Sequence, residues 1–214
     1  MGHLKRQEAP TIWPVIRKGS KYIVRPTADF EKGMPLLVIL REMLGVVENR
    51  KEAKQLIHEG KVLCNVRKAR DETESVSLFD VITLVDENKS YKLDLDERNV
   101  FKLEETKENN KKIVKVVNKK MVKGNKIQLN FWDGSNLLYD GKIKVGDSCV
   151  LNMKDKKVEK ILPVKKGAKV LVTDGRHLGH RGIIEEMNEE ENTSVIELKD
   201  KKVNISNKNV MVLE

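Results

Sequence analysis

The chain has 214 residues, 42 Lys or Arg against 33 Asp or Glu for a net charge of +9, and only 4% aromatic residues. So few aromatics argue against one large core and for several small modules, and the longest apolar run, residues 36–40, falls far short of the roughly 18 residues a membrane helix needs. Lys5, Arg6 and Glu8 interrupt any signal-peptide core, so an intracellular protein without a membrane partner is expected.

Residues 1–70 hold 15 Lys or Arg against 7 Asp or Glu, whereas the remainder holds 27 against 26. Excess charge confined to one third of a chain points to a polyanion partner rather than to general solubility. Residues 1–33 are basic, weakly periodic and broken by Pro10, Pro14 and Pro26, which predicts an extended arm. A helix follows, with Pro35 in its first turn, Leu36, Leu37, Ile39, Leu40, Met43 and Leu44 at helical spacing, and Gly45 as its stop.

The segment 49–82 is the most informative. Asn49 is a natural helix N-cap, residues 50–59 make about three turns, and Gly60 closes the helix before a strand at 62–66. Ala53, Leu56 and Ile57 share the core face, while Lys51, Lys54 and His58 share the opposite one. With Arg50, Lys61, Arg67, Lys68 and Arg70 around them, these cations flank a helix-strand unit that ends in a strand near 81–85. Such an outline is that of a small RNA-binding module over 34–90, although a charged helix face can also be merely solvated. His58 is equally consistent with a neutral surface histidine.

From Tyr91 the periodicity becomes two. Ile127, Leu129 and Phe131 alternate with polar residues, Asp133-Gly134 turns the chain, and strands are readable at 137–139, 148–153 and 158–162. This predicts an all-β region over 91–165. Lys111, Lys112, Lys115, Lys119, Lys120, Lys123 and Lys126 occur there without an intervening acid, which makes a second basic surface or a lysine-fringed sheet edge. Trp13 and Trp132 suit base stacking, but Trp132 precedes the turn and suits packing on the sheet as well. Cys64 and Cys149 lie 85 positions apart in apolar runs, as buried reduced thiols do, and no Cys/His spacing suits zinc.

Residues 166–214 contain five short strands, enough for a small barrel, with the loop 174–182 carrying Arg176, His177, His180 and Arg181 among three glycines. The acidic run 185–191 is expected to face solvent. No P-loop, dinucleotide fingerprint or paired catalytic carboxylates appear, so neither an enzyme nor a cofactor is expected. That weakens the rival reading of an RNA-modifying enzyme with an accessory RNA-binding domain.

Residues 49–82 resemble the ribosomal-type RNA-binding domain: Arg50, Ala53, Leu56, Ile57, Gly60, Val62 and Asn65 match its pattern. Val66 and Phe79-Asp80 stand where the generic pattern has a glycine and a Gly-Asp turn, and Phe79-Asp80-Val81-Ile82 resembles a variant of that turn. The stretch 167–183, GAKVLVTDGRHLGHRGI, resembles a KOW motif, and His3-Leu4-Lys5-Arg6 with Pro10 and Trp13 resembles the opening of the archaeal and eukaryotic-type small-subunit ribosomal protein number four, the four-e family. The order of modules is similar to that family over essentially the whole chain. The resemblance implies an α+β, multi-module fold: basic arm (1–33), α/β RNA-binding domain (34–90), central β domain (91–165) and SH3-like KOW barrel (166–214).

It implies in turn a non-enzymatic cytoplasmic constituent of the small ribosomal subunit, one copy per ribosome, with small-subunit rRNA and neighbouring ribosomal proteins as partners. The RNA ligands it suggests are Lys5, Arg6, Arg17 and Lys18 of an arm that orders on RNA, Arg50, Lys51, Lys54, Lys61, Arg67, Lys68 and Arg70 of the helix-strand unit, Lys119 and Lys120, and Arg176, His177, His180 and Arg181. A KOW-type transcription elongation factor is the other alternative, one that the basic arm and the 34–85 domain argue against.

Overall fold

The computed structural model describes every residue except 1–2, 97, 109, 123, 125, 189–191 and 199–200; Lys123 and the last three acids of the 185–191 run therefore lie outside the described residues. Two compact units emerge, Met1–Asp96 with Val100–Asn110, and Glu97–Asn99 with Lys111–Glu214.

The first unit contains β1 (Leu4–Lys5), β2 (Tyr22–Ile23), β3 (Gly33–Pro35), α1 (Leu36–Val38), α2 (Arg50–His58), β4 (Val62–Cys64), β5 (Arg67–Lys68), β6 (Ser75–Ser77), β7 (Val81–Leu84), β8 (Lys89–Leu95) and β9 (Phe101–Thr106). Helix α1 continues as a π-helical turn over Ile39–Met43, closed by Leu44 N–H to Ile39 O at 3.0 Å and followed by Gly45 at φ 65°. Its residues 36–40 are 0–1% exposed, which accounts for the near-continuous apolar run. Helix α2 starts where Asn49 Oδ1 accepts from the N–H groups of Lys51 and Glu52, at 2.9 and 3.1 Å. It buries Ala53 and Ile57.

Residues 3–33 are packed rather than extended throughout. Trp13 is 3% exposed, its Nε1–H donates to Gly33 O at 3.1 Å, and β1 pairs with β2. Burying an indole with its one donor satisfied anchors the segment to the first unit. Trp13 is accordingly a core residue and not a base-stacking platform.

The main sheet of this unit has the order β5-β4-β7-β8-β9 and runs past the expected division at residue 90. A tight β7-β8 hairpin, with Asn88 at φ 51°, places β8 directly beside β7, and β9 pairs in turn with β8.

The second unit holds β10 (Lys111–Val122), β11 (Lys126–Phe131), β12 (Asn136–Tyr139), β13 (Ser148–Asn152) and β14 (Lys157–Leu162) in one sheet ordered β12-β11-β10-β13-β14. A second sheet, β18-β17-β16-β15-β19, consists of β15 (Lys169–Val172), β16 (Arg181–Asn188), β17 (Thr193–Glu197), β18 (Lys202–Ser206) and β19 (Val210–Val212). Strand β13 is buried on both faces: Cys149 and Leu151 join the core of the first sheet, and Val150 joins that of the second. A strand sandwiched this way loses the in-out alternation of a half-exposed strand. Cys64 and Cys149 are both buried free thiols, and burial pushes Cys149 up to about 12.

Candidate nucleic-acid interface

The basic surface of the first unit is organised by two acids that the sequence reading passed over. Glu72 and Glu74 are 1% and 8% exposed, and their carbonyls accept from Leu37 and Leu36 N–H at 2.9 Å, which pins both residues against the start of α1. A buried carboxylate requires cationic partners. Glu72 Oε1 takes Arg50 Nε at 2.7 Å and Nη2 at 2.5 Å, and Lys54 Nζ lies 3.5 Å away. Glu74 takes the Arg67 guanidinium and, at 2.8 Å, the Arg70 N–H. Arg50, Lys54 and Arg67 thus spend a donor internally, although their side chains remain about half exposed. Lys61 is likewise shared between Glu59 at 2.8 Å and Asp86 at 3.2 Å.

The β4-β5 hairpin presents Lys68 and Arg70 beside this framework. Its two-residue turn is Asn65-Val66, at φ 50° and 70°. Asn65 Nδ2–H donates to Asp80 Oδ1 at 2.6 Å and its Oδ1 accepts from Val81 N–H at 3.0 Å, which ties the turn to β7. Gly60, at φ 74°, lets the Lys68 stem cross: a Cβ there would stand 3.2 Å from Lys68 Cε.

Both positions at which this chain departs from the generic pattern, Val66 and Phe79, adopt left-handed backbone, Phe79 at φ 64°. Valine is strained there. Val66→Gly is expected to stabilise the chain by roughly 1 kcal/mol, the released strain exceeding the added unfolded-state entropy; a urea midpoint that falls would refute this. Phe79→Gly has the opposite expected sign, because the ring is 2% exposed.

In the opening segment Arg6 donates to Ser20 Oγ at 3.2 Å and Ile16 O at 2.8 Å, Arg17 donates to the carbonyls of Gln7 and Ala9, and Lys5 lies 3.9 Å from Glu8. Among the described residues Lys18, Lys51, Lys68, Arg70, Lys120 and Arg176 have no ion pair or side-chain hydrogen bond, and all are exposed.

The lysine-rich stretch of the second unit is not one surface. Lys112 is 4% exposed and paired with Asp133 at 2.5 Å; Lys115 is 3% exposed, and its Nζ donates to the carbonyls of Asn207, Lys208 and Val210 at 2.7, 2.8 and 2.6 Å. Lys119 donates to Ile143 O. These lysines are spent on protein acceptors, leaving Lys120 from that expected pair to face solvent without a partner. Burial alone would push the Asp133 carboxyl up, but the Lys112 ammonium and the Ser135 donors outweigh it and hold it below its ordinary value.

In the loop before β16 the His177 and His180 rings stand edge to face at 5.9 Å, and His180 Nδ1 lies 3.2 Å from Leu178 O. Desolvation, with Lys201, His180 and Arg176 nearby, lowers the His177 pKa, which favours the neutral imidazole as a hydrogen-bonding group over the charged form.

A family model described as ribosomal family S4e matches residues 87–158, and one described as the RS4NT (NUC023) domain matches residues 2–28. Small ribosomal subunit protein eS4 of Methanocella arvoryzae is 37% identical over 188 residues, 86% of this chain and 80% of that protein. The chain belongs to the ribosomal S4e family. The eS4 protein of Methanothermobacter thermautotrophicus is 35% identical over 204 residues, 91% of this chain and 84% of its own. The crystal structure of the 30S ribosomal protein S4e from Thermoplasma acidophilum aligns with a TM-score of 0.70 at 25% identity, over 85% of this chain and 95% of that one. S4e proteins are structural ribosomal proteins and not enzymes. The multi-domain α+β character expected from the sequence agrees with the mostly β elements, few helices and several small sheets seen here.

Glu72 and Glu74 had one signal in the sequence: the acidic cluster Asp71-Glu72-Thr73-Glu74 directly after Arg67-Lys68-Ala69-Arg70. Carboxylates so close to a cation cluster announce either screening or scaffolding, and their burial shows scaffolding.

Proposed function

We propose that this S4e chain is a structural constituent of the small ribosomal subunit that binds small-subunit rRNA, in the cytoplasm, as one copy per subunit. The observation that carries the proposal is the combination of partner-free cations with a rigid frame: Lys51, Lys68 and Arg70 point to solvent around α2 and β5, while Arg50, Lys54 and Arg67 are held by buried carboxylates. Free cations displace counterions from phosphates, and the fixed ones set spacing, so affinity comes from charge and selectivity from shape. The segment 49–82 serves as the RNA-binding module and the loop 167–183 as a KOW element, with Arg176 and Arg181 as cations and His177 and His180 as hydrogen-bonding groups. Lys5, Arg6, Arg17, Lys18 and Lys120 extend the footprint.

Two measurements test this. Tagged protein sedimented from its own cell extract is expected in the small-subunit peak at stoichiometric amount; a peak with RNA polymerase would favour an elongation-factor role. In filter binding to small-subunit rRNA, the triple variant Lys51→Glu, Lys68→Glu, Arg70→Glu is expected to flatten the log-log salt slope by about 2 units, at roughly 0.7–0.9 per lost phosphate contact. An unchanged slope with an intact circular dichroism spectrum removes these residues from the interface.

A further inference from the structure

Strand β9 is the outer strand of its sheet, and its register shows what the free edge presents. Leu95 faces Phe101, Leu93 faces Leu103 and Tyr91 faces Glu105. Asp96 N–H bonds Val100 O within the β8-β9 ladder, whereas Phe101 donates away from it, to Ile12 O at 2.8 Å. By the alternation of an antiparallel ladder, Leu103 and Glu105 also turn N–H and C=O outward. Among the described residues no backbone group meets them there.

A groove of about 510 Å³ lies beside this edge, lined by Pro14, Met43, Leu44, Tyr91, Phe101 and Leu103, with Glu42, Glu105 and Lys102 among its walls, the last paired with Glu104 at 2.6 Å. Arg41 already neutralises Glu42 at 2.8 Å, while Glu105 makes no ion pair or side-chain hydrogen bond among the described residues; the nearby Lys89, which feels its charge, is itself paired with Glu87 at 3.4 Å. The surrounding stretch 86–108 carries 8 Asp or Glu against 5 Lys or Arg, opposite in sign to the chain as a whole. Such a region repels a phosphate backbone and attracts a cationic polypeptide.

We infer that the β9 edge is a strand-addition site for another protein: an extended segment pairs with the main chain of Leu103 and Glu105, seats apolar side chains in the groove and sets a lysine or arginine against Glu105. Ile12 already occupies the first position of the line that this segment prolongs. Main-chain pairing supplies affinity, and the side chains on the groove face supply selection. The inference concerns a face and a partner separate from the RNA reading.

The test uses the full chain and a blocked heptapeptide, TVTKTVT, whose valines and lysine share one face of a strand. At millimolar peptide, amide hydrogen exchange is expected to slow at Leu103 and Glu105 and to stay unchanged at Lys102 and Glu104, which lie in the ladder. Replacing the central lysine by glutamate, or introducing Glu105→Lys, is expected to weaken binding about tenfold. Glu105→Pro removes the outward donor without touching the β8 ladder and is expected to abolish binding. No slowing at these amides, or equal binding of TVTETVT, overturns the inference. Concentration-dependent protection without peptide also overturns it, by assigning the edge to a second copy of the chain.

Discussion

Lys112→Met is expected to lower the stability of the second unit by about 3–5 kcal/mol, the cost of leaving one member of a buried ion pair alone. Lys112 and Asp133 are 4% and 8% exposed at the side chain, and the ammonium sits 2.5 Å from Oδ2. The other carboxylate oxygen accepts from Ser135 N–H at 2.9 Å and Oγ–H at 2.7 Å, and the lysine is the partner of Oδ2. Lys112→Met with Asp133→Asn removes both charges and is expected to recover more than half of the loss, since a neutral amide is far cheaper to bury than an unpaired carboxylate. Urea unfolding of the four members of this cycle checks it. A single-variant loss under about 1 kcal/mol would show that the pair is solvated in practice.

Lys115→Met carries the second large effect, about 3 kcal/mol, because three carbonyls, that of Val210 buried and those of Asn207 and Lys208 part-buried, lose the ammonium that bonds them at roughly 1 kcal/mol each. Its pH signature separates it from simple repacking. Burial pushes the Lys115 ammonium down to about 8 from 10.5. Below pH 8 folded and unfolded chains both hold the proton, and above 10.5 neither does. Between those values the unfolded chain keeps a proton that the folded chain has released, so the unfolding free energy rises with pH, by up to about 3 kcal/mol across the window. Lys115→Met lacks this contribution, and the gap between parent and variant is expected to widen from about pH 7 to about pH 10. A gap that stays constant would place the lysine in contact with water.

These two lysines also mark where sequence reasoning stopped. Seven lysines without an acid read as a basic surface, yet the N-terminal half of β10 is covered on both sides. Lys112 faces a carboxylate 21 positions ahead, and Lys115 faces carbonyls more than 90 positions ahead. The helix-strand unit was more legible: the Asn49 cap, the Gly60 stop and the apolar face of α2 follow from local spacing and agree with the structure, whereas the strand read over 62–66 stops at Cys64, because Asn65 and Val66 take left-handed backbone and turn the chain into β5. Of the seven cations read from that unit, Lys51, Lys68 and Arg70 have partner-free heads, while Arg50, Lys54, Lys61 and Arg67 answer to nearby carboxylates.

Residue order alone was enough for much that depends on neighbours along the chain: caps, turn glycines, strand alternation, the charge imbalance of the first 70 residues and the motifs that mark an S4e protein. Which cations meet solvent was settled elsewhere, by the pairing of distant strands and the burial of Glu72, Glu74 and Asp133. A strand alternates in the same way whether its face meets water or a second sheet, so no local pattern could tell an exposed lysine from one that closes a core.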